Sequence, residues 1–373
     1  MRVGYTTIFQ GGGDAAVDHE VYKNELALCD LAEPLGFEML WGVEHHFTSY
    51  TMCPEPLQFL SYMAARTKNI QLGSGAVILP WHDPVRVAEC VAMLDLLCDG
   101  RFIFGMGRGL GRIEFEGLRI PMDESRARFV ESAEIVVRAL ETGILEADGE
   151  FYKIPKRELR PRPVRGFRDR LYAAAVSPES VRIMADVGAG ILINPQKDWE
   201  DVAEDMKAYR AQFRELKGTD PPAPMVTGWV CCHEDHDTAE QMAREYIGAY
   251  YESVMDHYEL GGRHFESTRG YEYYRRLAAY IGENGSDKVI ENFINLQIWG
   301  TPDECFQRIA DIQSKVGNDG FNAVCSFSGM SPETGEANLR LFATEVMPRV
   351  KELAPIDTAE LDAAVGAGTA ERA

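Results

Sequence analysis

The feature that most constrains the fold is a regular alternation of short β-branched or aromatic runs with longer stretches of helical period. Such alternation is typical of repeated βα units around a parallel sheet. A doubly wound open sheet normally stops at about five or six strands, so eight runs favour an α/β fold with a single (β/α)8 TIM barrel. The eight predicted strands are RVGYTTIF (2–9), MLWGVEHH (39–46), IQLGSGAVIL (70–79), RFIFGMG (101–107), LYAAAV (171–176), GILIN (190–194), PMVTGWVCC (224–232) and NAVCSFS (322–328).

Two segments are longer than a simple βα connection requires. One follows strand four, over 108–170, and the other follows strand seven, over about 261–299. TIM-barrel chemistry is built on the loops at the carboxyl ends of the strands, where a long insertion is more often a lid than a spacer. We therefore expect one barrel domain over 1–355, with insertions after strands four and seven, the second of them lid-like. Residues 356–373 are expected to form a flexible C-terminal tail.

Composition restricts the class of partner. The 373 residues include 38 Lys and Arg against 59 Asp and Glu, a formal net charge of −21. This excess of negative charge repels phosphate backbones and anionic lipids, which argues against nucleic acid and membrane surfaces as partners. The chain also has no apolar run of the roughly 18 residues that a membrane span needs, and no signal-peptide pattern. With eight cysteines that lack CxxC spacing, these features predict a cytoplasmic protein with reduced thiols.

Two adjacent histidines, His45 and His46, stand at the end of strand two. Neighbouring residues on a strand face opposite sides, so we expect one to reach the barrel mouth and the other to be structural. A histidine at the mouth can act as a base near neutral pH or donate a hydrogen bond to a ring heteroatom. A packed pair without chemical function is the alternative. A metal site is disfavoured, because neither HxH nor HExxH occurs.

Two strand ends could bind a phosphate. Strand four ends in GMGRGLG (105–111), where spaced glycines allow close backbone approach to a flat or anionic ligand and Arg108 can neutralise a phosphate. This run matches neither GxGxxG nor GxxxxGK[ST], so the usual nucleotide fingerprints are absent. After strand five, Ser177-Pro178-Glu179-Ser180 has the chemistry of a helix start, which binds anions through free N–H groups. Purely conformational explanations, a glycine turn and a capped helix, remain open for both.

Three further stretches receive mainly structural interpretations. Glycines in the 73–76 run of strand three indicate a bulge or a ligand lying against bare backbone. The basic run 156–170 is interpreted as a solvated loop. Tyr271, Tyr273 and Tyr274 are interpreted as packing residues of the second insertion.

The combination of WGVEHHFT (41–48), LPWHDPVR (79–86) and GRF (100–102) leading to Arg108-Gly109 resembles the bacterial-luciferase-like flavin monooxygenases. The resemblance runs nearly end to end, through GTPDEC (300–305) to Met347-Pro348, and is strongest to the luciferase α-subunit type. It implies a TIM barrel that binds reduced FMN, forms a flavin C4a-hydroperoxide with O2 and oxygenates a small aldehyde- or ketone-like substrate. It also implies a separate NAD(P)H:flavin reductase and a homodimer.

The resemblance further implies the functions of individual residues. His45 matches the family's active-site histidine, Gly75-Ala76 a strand-three bulge that often contains a non-prolyl cis peptide, and the second insertion a mobile loop that gates the site. Arg108, Ser177 and Ser180 match phosphate-binding positions. The full set of implied cofactor-binding residues is Glu44, Gly75, Ala76, Met106, Arg108, Gly109, Leu110, Val176, Ser177, Ser180 and Tyr250.

The chain also departs from luciferase. Gly107 replaces its reactive cysteine, Val176 a glutamate and Pro195 a tryptophan, and the stretch 280–285 lacks its functional lysines. These differences argue against light emission and against a long-chain aldehyde substrate. The alternatives are an F420-dependent oxidoreductase on the same barrel, a non-catalytic flavin-binding accessory subunit and a metal-dependent TIM-barrel hydrolase.

Overall fold

Eight parallel strands, in chain order, close into one barrel in this computed structural model, which describes residues 1–174, 178–266 and 268–369. Each strand pairs with the next, and the last pairs with the first, with Gly4 opposite Asn322. The predicted TIM barrel is therefore confirmed. Its strands are β1 Arg2–Thr7, β2 Met39–Gly42, β3 Gln71–Ser74, β4 Phe102–Gly107, β5 Leu171–Ala174, β6 Gly190–Ile193, β7 Met225–Cys232 and β8 Gly320–Val324.

Helices surround the barrel, and their starts follow local sequence rules. In the helix Pro84–Leu97, the Asp83 carboxylate accepts hydrogen bonds from the backbone N–H groups of Val85 and Arg86, and proline occupies the first turn, where it costs no hydrogen bond. The apolar stripe of this helix is buried against the strands, which stabilises the fold by about 1.5–3 kcal/mol for each large side chain. The other helices between the strands include Asp18–Leu35, Pro56–Arg66, Ser125–Thr142, Pro178–Val187, Trp199–Lys217, Pro302–Val316 and Pro332–Leu341.

Glycines in β3 and β4 make room for neighbouring side chains and backbone. A Cβ on Gly73 would lie 2.4 Å from the Trp41 ring, and one on Gly105 would lie 2.0 Å from the Ser74 carbonyl oxygen. The Trp41 indole instead fills the barrel interior together with Met39, Ile103, Tyr172, Leu192 and Met225. At Gly73, the expectation of a ligand against bare backbone is therefore wrong.

Strand three is interrupted as predicted. After β3, the Gly75–Ala76 peptide bond is cis, and the chain then resumes as the short strand Val77–Ile78, which pairs with β4. The Gly75 N–H donates to the Gly42 carbonyl oxygen at 2.8 Å. This bulge places Gly75 and Ala76 at the mouth of the barrel.

The insertion after β4 contains the helices Arg112–Leu118 and Ser125–Thr142 and an antiparallel hairpin of Ile144–Asp148 with Lys153–Glu158. The interpretation of 156–170 as a solvated loop is thus wrong at both ends. Its first residues belong to the hairpin, and Arg170 is buried because its guanidinium pairs with the Asp95 carboxylate and donates to backbone carbonyls.

The insertion after β7 covers the barrel mouth. It contains the helices Glu272–Asn284 and Ser286–Leu296 and the strand Ile298–Gly300, which pairs with β7. The preceding helical segment runs from His236 to His257. An aromatic cluster of buried residues joins these elements to the barrel, and it includes Trp229, Tyr250, Tyr251, Phe265, Tyr271, Tyr274 and Phe293.

The segment expected to be a C-terminal tail contains the helix Thr358–Thr369. Asp362 of this helix pairs with Arg210, which is buried, and with Arg214. A helix was not predicted there, because the partner that fixes it lies about 150 residues earlier in the chain. Across the described ranges, no helix is long and apolar enough to cross a membrane, and all eight cysteines are free thiols.

Candidate active site

The adjacent histidines after β2 face different partners. His46 Nε2 lies 3.1 Å from the Glu44 carboxylate, whereas His45 Nδ1 lies 3.0 Å from Glu114 Oε1. Glu114 belongs to the short helix Arg112–Leu118 of the first insertion. His45 therefore faces the cavities at the barrel mouth, and His46 packs beside Trp81 in the wall.

Glu114 connects two histidines. Its Oε1 accepts hydrogen bonds from His45 Nδ1 and from the His46 backbone N–H, both at 3.0 Å, and lies 3.4 Å from His257 Nε2. Burial alone would raise the pKa of Glu114, but the charges and hydrogen bonds of His45 and His257 outweigh it and lower the pKa to about 2. The carboxylate is therefore ionised at neutral pH.

This charged carboxylate fixes the tautomer of the His45 imidazole. Because Glu114 can only accept, Nδ1 of His45 carries the hydrogen, so that in the neutral ring Nε2 presents a lone pair to the cavity, 3.5 Å from the Tyr258 hydroxyl. His257 Nδ1 lies 2.8 Å from the Thr48 hydroxyl. Burial lowers the pKa of His257 more than Glu114 raises it, so His257 is neutral near pH 7. His45 is thus placed to accept a proton from a ligand.

Nothing in the sequence predicts Glu114 or His257 at this site, because Glu114 reaches His45 only through the folded first insertion and His257 only through the helical segment before the second. The ligand atoms of His45, Glu114 and His257 lie within 4.8 Å of one another, a set that could also hold a metal ion. The sequence offers no spacing that would indicate this set. Within the described residues, two buried atoms of this set, Glu114 Oε2 and His257 Nε2, have no hydrogen-bond partner.

Glu44 is buried in the wall. Its Oε1 accepts from His46 and from His82 Nε2 at 2.7 Å, and its Oε2 accepts from the Ile78 backbone N–H at 2.8 Å. Burial would raise the pKa of Glu44, but the hydrogen bonds from His46 and His82 outweigh it and lower the pKa. Glu44 thereby holds the strand that follows the cis peptide, and its contact with a cofactor stays a prediction.

Two connected cavities meet at His45. The outer cavity is lined by residues that include Ala76, Arg108, Gly109, Leu110, Arg126 and Ser180. The inner cavity is lined by residues that include Thr6, Trp41, Tyr50, Trp229, Tyr250, Phe293 and Asn322. Both share His45, Gly75, Ala174, Asn194, Gln196 and Tyr258. Ligands bound in the two cavities would therefore meet at His45.

Most predicted site residues lie on these two cavities, with three exceptions. The side chain of Met106 is fully buried in the core between barrel and helices, because alternation along β4 turns it away from the mouth; its predicted contact with a cofactor is wrong for the side chain. Val176 and Ser177 lie outside the described residues.

Arg108 is held by the second insertion. Its Nη1 donates to the Gly270 carbonyl oxygen at 2.9 Å, and its guanidinium lies 4.1 Å from the centre of the Tyr271 ring. The Tyr271 hydroxyl donates to the Gly109 carbonyl oxygen at 3.1 Å. Arg126 lines the same cavity and also donates to Gly270. The outer cavity therefore brings two guanidinium groups to one wall of an acidic protein.

The glycines around Arg108 make room for neighbouring side chains. A Cβ on Gly107 would lie 2.5 Å from Ile78, and one on Gly109 would lie 2.8 Å from Trp81. Gly109 also has a φ of +84°, which glycine adopts without strain. Both glycines also line the outer cavity, so their backbone approach to a ligand stays a prediction.

Comparisons with known proteins agree with the fold. The alkanal monooxygenase alpha chain of Photorhabdus laumondii is 26% identical over 342 residues, 89% of this chain and 93% of that protein. The crystal structure of monooxygenase RslO1 from Streptomyces bottropensis is 27% identical, with a TM-score of 0.75 over 94% of this chain and 100% of that one. The oxygenating constituent of Pseudomonas putida 3,6-diketocamphane monooxygenase, solved with FMN, shares the fold at 18% identity and a TM-score of 0.71, over 95% and 99% of the two chains. The family model for luciferase-like monooxygenases matches residues 1–319. The chain therefore belongs to the luciferase-like monooxygenases and is a flavin-dependent oxidoreductase.

Proposed function

We propose that this protein is the oxygenase component of a two-component system, which uses reduced FMN and O2 to oxygenate a small aldehyde- or ketone-like substrate. The observation that carries the proposal is the position of His45. Its Nε2 faces the junction of the two cavities, while its Nδ1 is fixed by the ionised Glu114. When bound, reduced FMN would supply the two electrons that place one oxygen atom in the substrate and convert the other to water.

The residues of the outer cavity fit FMN. Arg108 and Arg126 supply positive charge for a phosphate, and Ser180 lines the same cavity. Towards His45 the lining gains aromatic side chains, among them Tyr258 and Tyr274, which suit a flat ring system. The two arginines and these rings together support one phosphate-tailed ligand in the outer cavity with its ring at His45, which leaves the inner cavity to the substrate.

Each protein group then has a definable function. Arg108 binds the phosphate, and its bonds to Gly270 and Tyr271 connect binding to closure of the second insertion. The aromatic cluster of that insertion excludes water from the mouth. His45 holds or moves a proton at Nε2, and Glu114 stabilises the imidazolium while that proton is held.

The function is tested by mixing enzyme and photoreduced FMN with oxygenated buffer and measuring product per flavin over a panel of aldehydes and ketones. His45→Ala should lower product by about 100-fold and leave the Kd of reduced FMN within about twofold, whereas the exposed His19→Ala serves as the matched control. Unchanged product in the His45 variant would remove the proposed role. Selective binding of reduced F420 over FMNH2 would instead favour the F420-dependent alternative.

Phosphate binding has its own test. Arg108→Ala should weaken FMN binding by about tenfold or more, because a charge-assisted hydrogen bond is lost. Arg86→Ala, which removes a guanidinium whose side chain is 70% exposed, should leave the Kd unchanged. An equal Kd for wild type and the Arg108 variant would contradict the assignment.

The proposal includes two protein partners. A separate NAD(P)H:flavin reductase would supply FMNH2, since the chain has no nicotinamide fingerprint. A homodimer is supported by Tyr62, Met93 and Leu97, apolar residues that are about half exposed on two packed helices. Leu97→Glu should convert the dimer to a monomer in light scattering.

Free thiols throughout fit a cytoplasmic location.

A further inference from the structure

The wall of the inner cavity is a set of packed aromatic rings. The Trp229 and Tyr250 ring centres lie 4.4 Å apart, and those of Tyr251 and Phe293 lie 4.3 Å apart with an interplanar angle of 22°. The Tyr50 and Tyr250 hydroxyls share a 2.7 Å hydrogen bond. Because these rings fix one another, the wall presents a rigid flat surface.

The floor of the same cavity is polar. Thr6 Oγ1, Trp41 Nε1 and Asn322 Oδ1 are buried, and none has a hydrogen-bond partner within the described part of the chain. Their residues are only 4%, 2% and 1% exposed. An unpaired polar group at such depth costs about 1–3 kcal/mol, so groups of this kind are normally paired by water or a ligand.

The barrel register gathers these groups at one place. Thr6 of β1 lies opposite Trp41 of β2, and Gly4 of β1 lies opposite Asn322 of β8. A Cβ on Gly4 would lie 2.4 Å from Asn322 Oδ1 and 3.0 Å from Trp41 Nε1. The missing side chain at position 4 thus leaves space for the amide and the indole N–H inside the barrel.

We propose that the inner cavity selects a flat aromatic ketone, whose ring packs on the aromatic wall and whose carbonyl oxygen accepts hydrogen bonds from Thr6 and Trp41. This substrate class rests on the proposed oxygenase function. A rigid ring loses little conformational freedom on binding, whereas a flexible alkyl aldehyde must order many bonds. Donation from Thr6 and Trp41 to the ketone oxygen would discriminate against a hydrocarbon of the same shape, because binding the hydrocarbon leaves both donors unpaired.

The test compares 1-tetralone with tetralin, which has the same two rings and no carbonyl. Binding of each to the full-length protein is measured calorimetrically without reductant. Thr6→Val keeps the side-chain shape and removes the hydroxyl, so it should weaken 1-tetralone about tenfold and leave tetralin unchanged. Trp41→Phe should act in the same direction. Thr344→Val, the same chemical change on an exposed helix position, should alter neither Kd.

The outcomes separate this inference from the proposed function. If 1-tetralone does not bind, or if Thr6→Val changes both ligands equally, the aromatic-ketone assignment is wrong, even when the enzyme oxygenates an aldehyde with FMNH2. If 1-tetralone binds through Thr6 but no compound is oxygenated, the inference stands and the proposed oxygenase function fails. Unchanged circular dichroism and tetralin affinity establish that each variant is folded.

Discussion

The Glu114 carboxylate allows a quantitative test of the site, because its pKa of about 2 compares with an ordinary value of 4.5. At 1.36 kcal/mol per pH unit, this depression stabilises the folded protein by about 3 kcal/mol at pH 7. Since the folded pKa is the lower one, the stabilisation is present above about pH 4.5 and is lost as the pH falls towards 2. Near pH 3 it should be about half its full value.

Glu114→Gln keeps the shape of the side chain and removes its charge. We expect the variant to lose up to about 3 kcal/mol of unfolding free energy in urea at pH 7, and the difference from wild type to shrink between pH 4.5 and pH 3. Product formation with FMNH2 should fall by about tenfold to 100-fold, since a neutral amide stabilises the His45 imidazolium less. Glu116→Gln, an exposed position on the same helix, is the control. A difference from wild type that stays constant over this pH range would refute the reasoning.

Three other substitutions test how the barrel is held together. Gly105→Ala should cost about 3 kcal/mol, because its Cβ would lie 2.0 Å from the Ser74 carbonyl oxygen, whereas Gly12→Ala enters open space and should leave the melting temperature unchanged. Asp95→Ala should cost about 3–5 kcal/mol of unfolding free energy by leaving buried Arg170 unpaired. Burial raises the pKa of Glu25, although the hydrogen bonds from Ser326 and Thr7 act in the opposite direction. The wild-type protein therefore loses stability as the pH rises from the ordinary carboxyl pKa through the raised one. The melting temperature of Glu25→Gln should therefore rise relative to wild type from pH 4.5 to pH 8, and a constant difference would contradict the assignment.

The barrel could be predicted from sequence because each of its strands carries a local signal. Seven of the predicted runs contain a barrel strand and the eighth, 322–328, overlaps β8, and the interruption of strand three falls where its glycines indicated a bulge. The hairpin strand Lys153–Glu158 and the helix Thr358–Thr369 were harder to predict. The hairpin strand is charged and exposed, and the helix depends on the distant pair of Asp362 with Arg210. Neither has the apolar periodicity on which the other predictions depended.

At the candidate site, too, residues with a local sequence signal could be predicted and residues that depend on distant contacts could not. Arg108 follows a strand directly, and its place on the outer cavity could be predicted from that position. Glu114 reaches His45 only because the first insertion folds back over the barrel mouth, and no spacing rule connects residues 69 positions apart. The ligand interpretation of Gly73 was wrong for a related reason, since the Trp41 ring lies beside it. Whether a missing side chain admits a ligand or a neighbour such as Trp81 depends on tertiary packing.

The insertion after β7, together with the helix before it, contacts both ends of the proposed ligand path. At the outer end, Gly270 and Tyr271 hold the Arg108 guanidinium. At the junction, Tyr258 lies 3.5 Å from His45 Nε2, and Glu259 binds Arg112 in the helix that carries Glu114. Opening of this segment would therefore release the arginine proposed to bind the phosphate and admit water to His45 in one movement. On the proposed function, flavin binding and protection of the reacting centre are coupled through the same residues, so a substitution that loosens this segment should weaken both together.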